Sequence, residues 1–267
     1  MRTPDWKTTV RSRFDSAAAT YDRAGEAQHR IAVTLAAEIR QRLPSTPLSG
    51  LEIGCGTGFL TAALLPALPA GSRWQATDLS PAMVQACLSR VSPPPGITLT
   101  GAVMDGEAPE MAPEQDRPVD LPVDLVASSM AVQWFTDLPA GLRRLRAMLA
   151  PGGLLAVTTL GSGTFAEWRD ACRAAGVTPG TPPYPTADAL RMALGPGAEV
   201  RQHRQPLPFP GVGDFLHHLR GTGARTAAPG HPPLPAGQLR RVLRALHGRP
   251  FLTAYDVLTV LWPAEDP

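Results

Sequence analysis

Five short apolar runs between residues 50 and 160, all but the third followed by a stretch of helical periodicity, constrain the fold more than anything else in the chain. LEIG (51–54), RWQATD (73–78), ITLTGAV (97–103), LVASSM (125–130) and LLAVTTL (154–160) read as strands. FLTAALLPAL follows the first, and PAMVQACLSR follows the second, opened by a Ser80 cap and Pro81 at the first helical position. Leu138, Leu142, Leu145 and Leu149 make one face of a further helix, capped by Asp137 and ended by Pro-Gly-Gly. Strands separated by helices cannot pair as hairpins. They require crossovers, hence a parallel sheet covered by helices on both faces.

The flanks are less regular. The first forty residues read as two helices, one with Val10, Phe14, Ala17, Ala18 and Tyr21 at helical spacing, the other with Ile31, Leu35 and Ile39. Residues 108–124 are Pro-rich, contain the duplication PVD-LPVD, and read as an inserted surface loop. Beyond 160 the pattern predicts a helix at 164–175, a Pro-rich linker TPGTPPYPT and a strand near AEVRQHRQ. Two helices around DFLHHLRG and AGQLRRVLRAL follow, then a closing strand FLTAYDVLTVLW. The expected organisation is a helical arm (1–43), a core (44–160), and the remaining strands with a cap (161–267).

At 267 residues with 43% hydrophobic content, one sizeable core can form. No run approaches the ~18 apolar residues of a membrane span, and MRTPDWKTTVRSRF has no signal-peptide core. Three cysteines, few and scattered, argue against a disulfide framework, so the expected compartment is the cytoplasm. A net charge of +2 offers no general attraction for nucleic acid. Residues 191–256, however, hold nine arginines against three acids. A GC-rich genome explains Arg in place of Lys, since Lys7 is the only lysine, but not the scarcity of acids, so an acidic partner is one reading.

The first strand runs into three alternate glycines, Gly54, Gly56 and Gly58. Such a loop lets backbone approach a ligand or a helix where a Cβ would interfere. A dinucleotide fingerprint needs G-x-G-x-x-G, and here Phe59 stands where its last glycine belongs, which disfavours a nucleotide-dependent oxidoreductase. The compact G-x-G-x-G preceded by Glu52 resembles motif I of class I S-adenosylmethionine-dependent methyltransferases. Asp78 ends the second strand, placed to accept ribose hydroxyls. MDGE (104–107) resembles that family's adenine-reading motif, through Asp105 and Gly106. Cys55 has no base nearby in sequence and reads as packing, while Asp214 and His218 at i, i+4 make a poor metal site without a third ligand. No metal is expected.

FDSAAATYDRAGEAQ (14–28), SSMAVQWFTDL (128–138), HLRGTGAR (218–225) and FLTAYDVL (251–258) together resemble the malonyl-acyl carrier protein O-methyltransferases of biotin synthesis. The resemblance implies an α/β, Rossmann-like class I methyltransferase sheet with an N-terminal helical arm and a C-terminal helical cap. It implies S-adenosylmethionine as cofactor and malonyl on an acyl carrier protein as acceptor. The expected cofactor residues are Glu52, Gly54, Gly56, Gly58, Asp78, Leu79, Met83, Asp105, Gly106 and Ser128, with Tyr21 and Gln28 closing over from the arm. Gln133, Trp134, Arg220 and Tyr255 are the expected acceptor contacts. Arg143 and Arg144, or Arg240, Arg241 and Arg244, are the expected docking cations for an acidic carrier. No catalytic base is expected, because a carboxylate with pKa near ~4 is already ionised at pH 7. A monomer without nucleic-acid or membrane partners is expected. A free small acid or another metabolite as acceptor, and a cofactor-binding regulatory protein without turnover, remain open readings.

Overall fold

The computed structural model describes residues 6–109, 121–223 and 234–264. Most of the 108–124 insertion, residues 110–120, thus lies outside the described residues. The arm is three helices rather than two: α1 (Trp6–Ala17), α2 (Tyr21–Ala24) and α3 (Glu26–Arg40). The first expected helix breaks after Ala17, where Thr20 N–H closes a turn onto the Ala17 carbonyl, so Tyr21 starts a new helix.

Seven strands form one sheet: β1 (Ser49–Ile53), β2 (Arg73–Asp78), β3 (Thr98–Val103), β4 (Val123–Ser129), β5 (Leu149–Leu160), β6 (Glu199–Phe209) and β7 (Phe251–Pro263). Their order is β3-β2-β1-β4-β5-β7-β6. The strands between residues 49 and 160 pair in parallel, and β7 runs antiparallel between β5 and β6. From β1 the chain builds outward to β2 and β3, then returns to lay β4 on the other side of β1. The strand order therefore reverses between β1 and β4, and a crevice opens beyond their carboxyl ends, where open α/β sheets bind ligands.

Helices α4 (Phe59–Leu64) and α5 (Pro81–Arg90) with α3 cover one face, and α6 (Leu138–Arg146) with α8 (Ala187–Leu194) the other. On the first face Leu35, Ile39, Leu64, Trp74 and Cys87 are buried together; on the second, Leu51, Ile53, Leu142, Leu145 and Leu190. The caps expected from sequence hold two of these helices: Ser80 Oγ accepts from Met83 N–H and Asp137 from Ala140 N–H. Leu149, expected on α6, instead opens β5 opposite Val123, and Ala150–Gly153 bulge out before pairing resumes at Leu125–Leu154. Helix α8 has no counterpart in the sequence reading, although Thr186 caps it through Ala189 N–H. Helices α7 (Ala166–Ala174), α9 (Val212–Gly221) and α10 (Ala236–Leu246) enclose a third cluster around Phe165, Trp168, Phe215 and Tyr255, against the β7 end of the sheet.

Candidate functional site

A cleft of ≈ 890 Å³, its open mouth included, lies in the crevice beyond β1 and β4. Its floor is Gly54–Thr57 after β1 and Ser129–Ala131 after β4, with Asp78 and Leu79 after β2 and Met104–Gly106 after β3 on one side. The arm forms the roof: Lys7, Val10 and Phe14 from α1, Tyr21 from α2, Gln28 from α3. An aromatic chain ties roof to floor, with ring centroids 5.9 Å apart for Trp6–Trp134, 5.7 Å for Phe14–Trp134 and 6.0 Å for Tyr21–Phe59.

The three loop glycines have different neighbours. All have positive φ, +68°, +53° and +96°, but a Cβ on Gly54 would sit 2.1 Å from the Ala131 Cβ, and one on Gly58 2.7 Å from Val91 Cγ2. A Cβ on Gly56 would meet nothing within 4 Å, because it would project into open space. At Gly56 the space a Cβ would take is open; Gly54 lines the cleft while letting two loops touch, and Gly58 seats α4 against α5. Gly58, expected as a cofactor contact, does not line the cleft. Gly106 lines the cleft but also packs tightly on Ile53, 2.1 Å from where its Cβ would lie.

The acids divide similarly. Glu52 points into the α3/α4 face, 1% exposed, where Thr61 Oγ1 (2.6 Å) and Trp74 Nε1 (3.0 Å) both donate to Oε2. Burial outweighs those bonds and pushes its carboxyl up to about 8. Asp78 accepts from Gly56 N–H (3.0 Å) and Ser80 N–H (2.8 Å), so it both shapes the glycine loop and faces the cleft. Burial raises it to about 6, against the lowering effect of those backbone bonds. Asp105 accepts from Lys7 Nζ at 2.6 Å and from Glu107 N–H at 3.0 Å; Lys7 also pairs with Glu107 at 2.6 Å. Burial alone would lower Lys7, but these two carboxylates leave it net raised and charged. Lys7, Val10, Phe14, Met104 and Phe135 were not anticipated from sequence, since nothing local marks a helix as the roof of a distant loop.

Several expected contacts lie elsewhere. The Met83 side chain is fully buried beneath α5 and does not reach the cleft. Ser128 is fully buried too, and Ser129 lines the cleft instead; β4 is buried on both faces, so no alternation in its sequence distinguished the two. Arg220 is exposed at the end of α9, because Val212, Phe215 and His218 at spacing three turn the opposite side inward. Gln133 lines a neighbouring cleft rather than this one, while Trp134 does line it. Tyr255 is 2% exposed and lies behind the wall. Its hydroxyl accepts from Gln28 Nε2 at 3.2 Å and lies 3.1 Å from His218 Nε2. Burial keeps His218 below the ordinary histidine range. Gln28 Oε1 has no hydrogen-bond partner.

Arg143, Arg144, Arg240, Arg241 and Arg244 are all exposed, the last three on α10 opposite buried Val242 and Leu246. Arg144 donates to the Glu107 carbonyl at 3.0 Å, and Arg143 to the Ala193 carbonyl. The three cysteines are buried and free. No helix among the described residues is long and apolar enough to cross a membrane.

The cleft fits S-adenosylmethionine on two observations. Gln28 Oε1, Thr57 Oγ1 and Trp134 Nε1 line it without any hydrogen-bond partner, a cost that a polar ligand removes. Gly56 opens space that any Cβ would fill.

Residues 51–155 match a family model described as a methyltransferase domain. The fold is similar to that of magnesium protoporphyrin IX methyltransferase (ChlM) from Synechocystis PCC 6803 with bound SAH, at a TM-score of 0.60 and 14% identity, covering 97% of this chain and 100% of that one. A malonyl-acyl-carrier protein O-methyltransferase of Magnetococcus marinus is 39% identical over 232 residues, 84% of this chain and 82% of the relative. The biotin biosynthesis bifunctional protein BioCD of Bordetella avium is 38% identical over 95% of this chain, which spans 52% of that protein's length. With a cleft at the strand reversal and a relative 39% identical over 84% of this chain and 82% of its own length, the chain belongs to the malonyl-acyl-carrier protein O-methyltransferase family.

Proposed function

We propose that this chain transfers a methyl group from S-adenosylmethionine to the free carboxylate of malonyl, held as a thioester on an acyl carrier protein, to start pimeloyl assembly for biotin. The likeness to a malonyl-acyl-carrier protein O-methyltransferase carries this reading, because it runs through 84% of the chain and not through the cofactor half alone. Gly54 and Gly56 with Gln28 would hold the methionine end of the cofactor, Asp78 and Leu79 the ribose, and Asp105 with Gly106 the adenine edge. When bound, S-adenosylmethionine supplies a methyl group on a sulfonium sulfur, ready to leave a neutral thioether.

The lining side chains support an acceptor that needs no deprotonation. Among the described residues of the cleft, Asp78 is engaged by backbone N–H groups, Asp105 by Lys7, and Glu52 by Thr61 and Trp74. None is a free base. A carboxylate needs none, so the protein's task is alignment, which is worth ~7–11 kcal/mol when geometry is right. The Phe14, Tyr21, Phe59 and Trp134 rings around the cleft would exclude water from the reacting charges. The exposed arginines of α6 and α10 would attract an acidic carrier, speeding encounter in a salt-dependent way.

The test is turnover with methyl-labelled S-adenosylmethionine on malonyl-carrier protein, succinyl-carrier protein and malonyl-coenzyme A. Label in a base-labile ester on the malonyl carrier supports the reading. Tight cofactor binding with no label on any of the three overturns the acceptor and turns attention to free small acids.

A further inference from the structure

A second cleft, ≈ 1310 Å³ with its mouth included, lies beside the first, beyond the ends of β4 and β5. Phe135 lines both clefts, and Trp6, on the wall of the second, packs on Trp134 in the first. The walls are mainly apolar: the prolines of the 182–185 segment, Leu138 before them, and Leu190 with Ala193 from α8.

Among the polar side chains that interrupt this surface, two carry a buried atom without a partner. Thr159 is fully buried, yet its Oγ1 has no partner. Its neighbour Thr158 shows the contrast, since Thr158 Oγ1 accepts from Met130 N–H at 3.2 Å. A buried hydroxyl left unpaired costs about 1–3 kcal/mol, which valine, of the same shape, would avoid. Gln133 Oε1 is likewise buried and unpartnered. One N–H of the Gln133 amide is committed to the Met130 carbonyl at 2.6 Å, which leaves Oε1 as the buried acceptor without a partner. A hydroxyl able to donate, together with an oxygen able only to accept, complements a secondary amide between aliphatic stretches. It does not complement a carboxylate, which Gln133 Oε1 would repel.

We propose that this second cleft seats the amide-bearing arm of the thioester acceptor, with Thr159 Oγ–H donating to an amide carbonyl and Gln133 Oε1 accepting an amide N–H. The inference rests on the thioester reading above. A phosphopantetheine arm has this chemistry, two secondary amides spaced along an otherwise saturated chain. The first cleft then holds the cofactor, and the malonyl end passes Phe135 to reach it.

The experiment compares two thioesters on the full chain: malonyl-pantetheine, with both amides, and malonyl-S-ethyl, with none. The wild type should show kcat/KM at least about tenfold higher for malonyl-pantetheine. In Thr159→Val that ratio should fall about tenfold through KM, with the dissociation constant for S-adenosylhomocysteine unchanged, and Thr159→Ser should restore it. Gln133→Met should lower the same ratio independently and stands in if Thr159→Val fails to fold. An unchanged ratio in both variants, or equal losses on both thioesters, overturns the inference while leaving malonyl methylation intact. Absence of turnover on either thioester by the wild type, with S-adenosylmethionine still bound, overturns the acceptor reading and this inference with it.

Discussion

Substituting each loop glycine by alanine should separate folding from binding. In Gly56→Ala the new methyl meets nothing within 4 Å, so the loss of stability is the left-handed backbone penalty alone, about 1 kcal/mol. For a domain this size that lowers the melting temperature by only about 2–4 °C. The methyl does occupy ligand space, and S-adenosylhomocysteine affinity should fall by more than tenfold, about 1.4 kcal/mol. In Gly54→Ala the same backbone penalty is joined by a Cβ–Cβ approach of 2.1 Å, against 3.4–4 Å for ordinary contact. Overpacking of this kind costs about 1–3 kcal/mol more, so Gly54→Ala should lose about 2–4 kcal/mol. Thermal melts without ligand and titration calorimetry with S-adenosylhomocysteine measure the two effects separately. If Gly56→Ala bound the ligand like the wild type, or Gly54→Ala melted like Gly56→Ala, the assignment of these glycines would be wrong.

Three further outcomes are expected. Cofactor affinity should drop about tenfold per pH unit below about 6, because Asp78, raised to about 6 by burial, then carries the proton that blocks acceptance of ribose hydroxyls; Asp78→Asn should bind weakly and flatten this profile in pH-resolved calorimetry. Glu52, raised from about 4.5 to about 8, holds a proton in the folded chain that the unfolded chain releases, so its contribution to stability falls as pH rises between those values. Glu52→Gln should remove that slope, and parallel melting curves of the two proteins from pH 5 to 8 would contradict the assignment. Tyr255→Phe keeps the ring packing but leaves Gln28 Nε2 and His218 Nε2 unpaired. It should cost about 1–3 kcal/mol in chemical denaturation and weaken cofactor binding as Gln28 loses its orientation. Full cofactor affinity in this variant would show that Gln28 does not depend on the hydroxyl.

The features legible from residue order alone are those that local physics encodes. Helical and strand periods, the Ser80 and Asp137 caps and the turn glycines depend on residues a few positions apart, and they located the seven strands and the glycine loop. Asp78 was legible for the same reason, since its distance from the glycines is set by one strand–loop–helix unit. The tertiary structure decided everything that depends on which distant segment arrives. Gly54, Gly56 and Gly58 are alike in sequence and differ only in whether Ala131, open space or Val91 lies opposite. Ser128 and Ser129 differ by one position in a strand buried on both faces, where no alternation indicates which side chain points to the ligand. Lys7 is 98 residues from Asp105, Gln28 227 from Tyr255, and Thr159 acquires significance only because it lines one cleft with prolines from the 182–185 segment. A side chain's chemistry is local, but its partners are set by the packing of the whole sheet and its helices, and those partners fix what the side chain does.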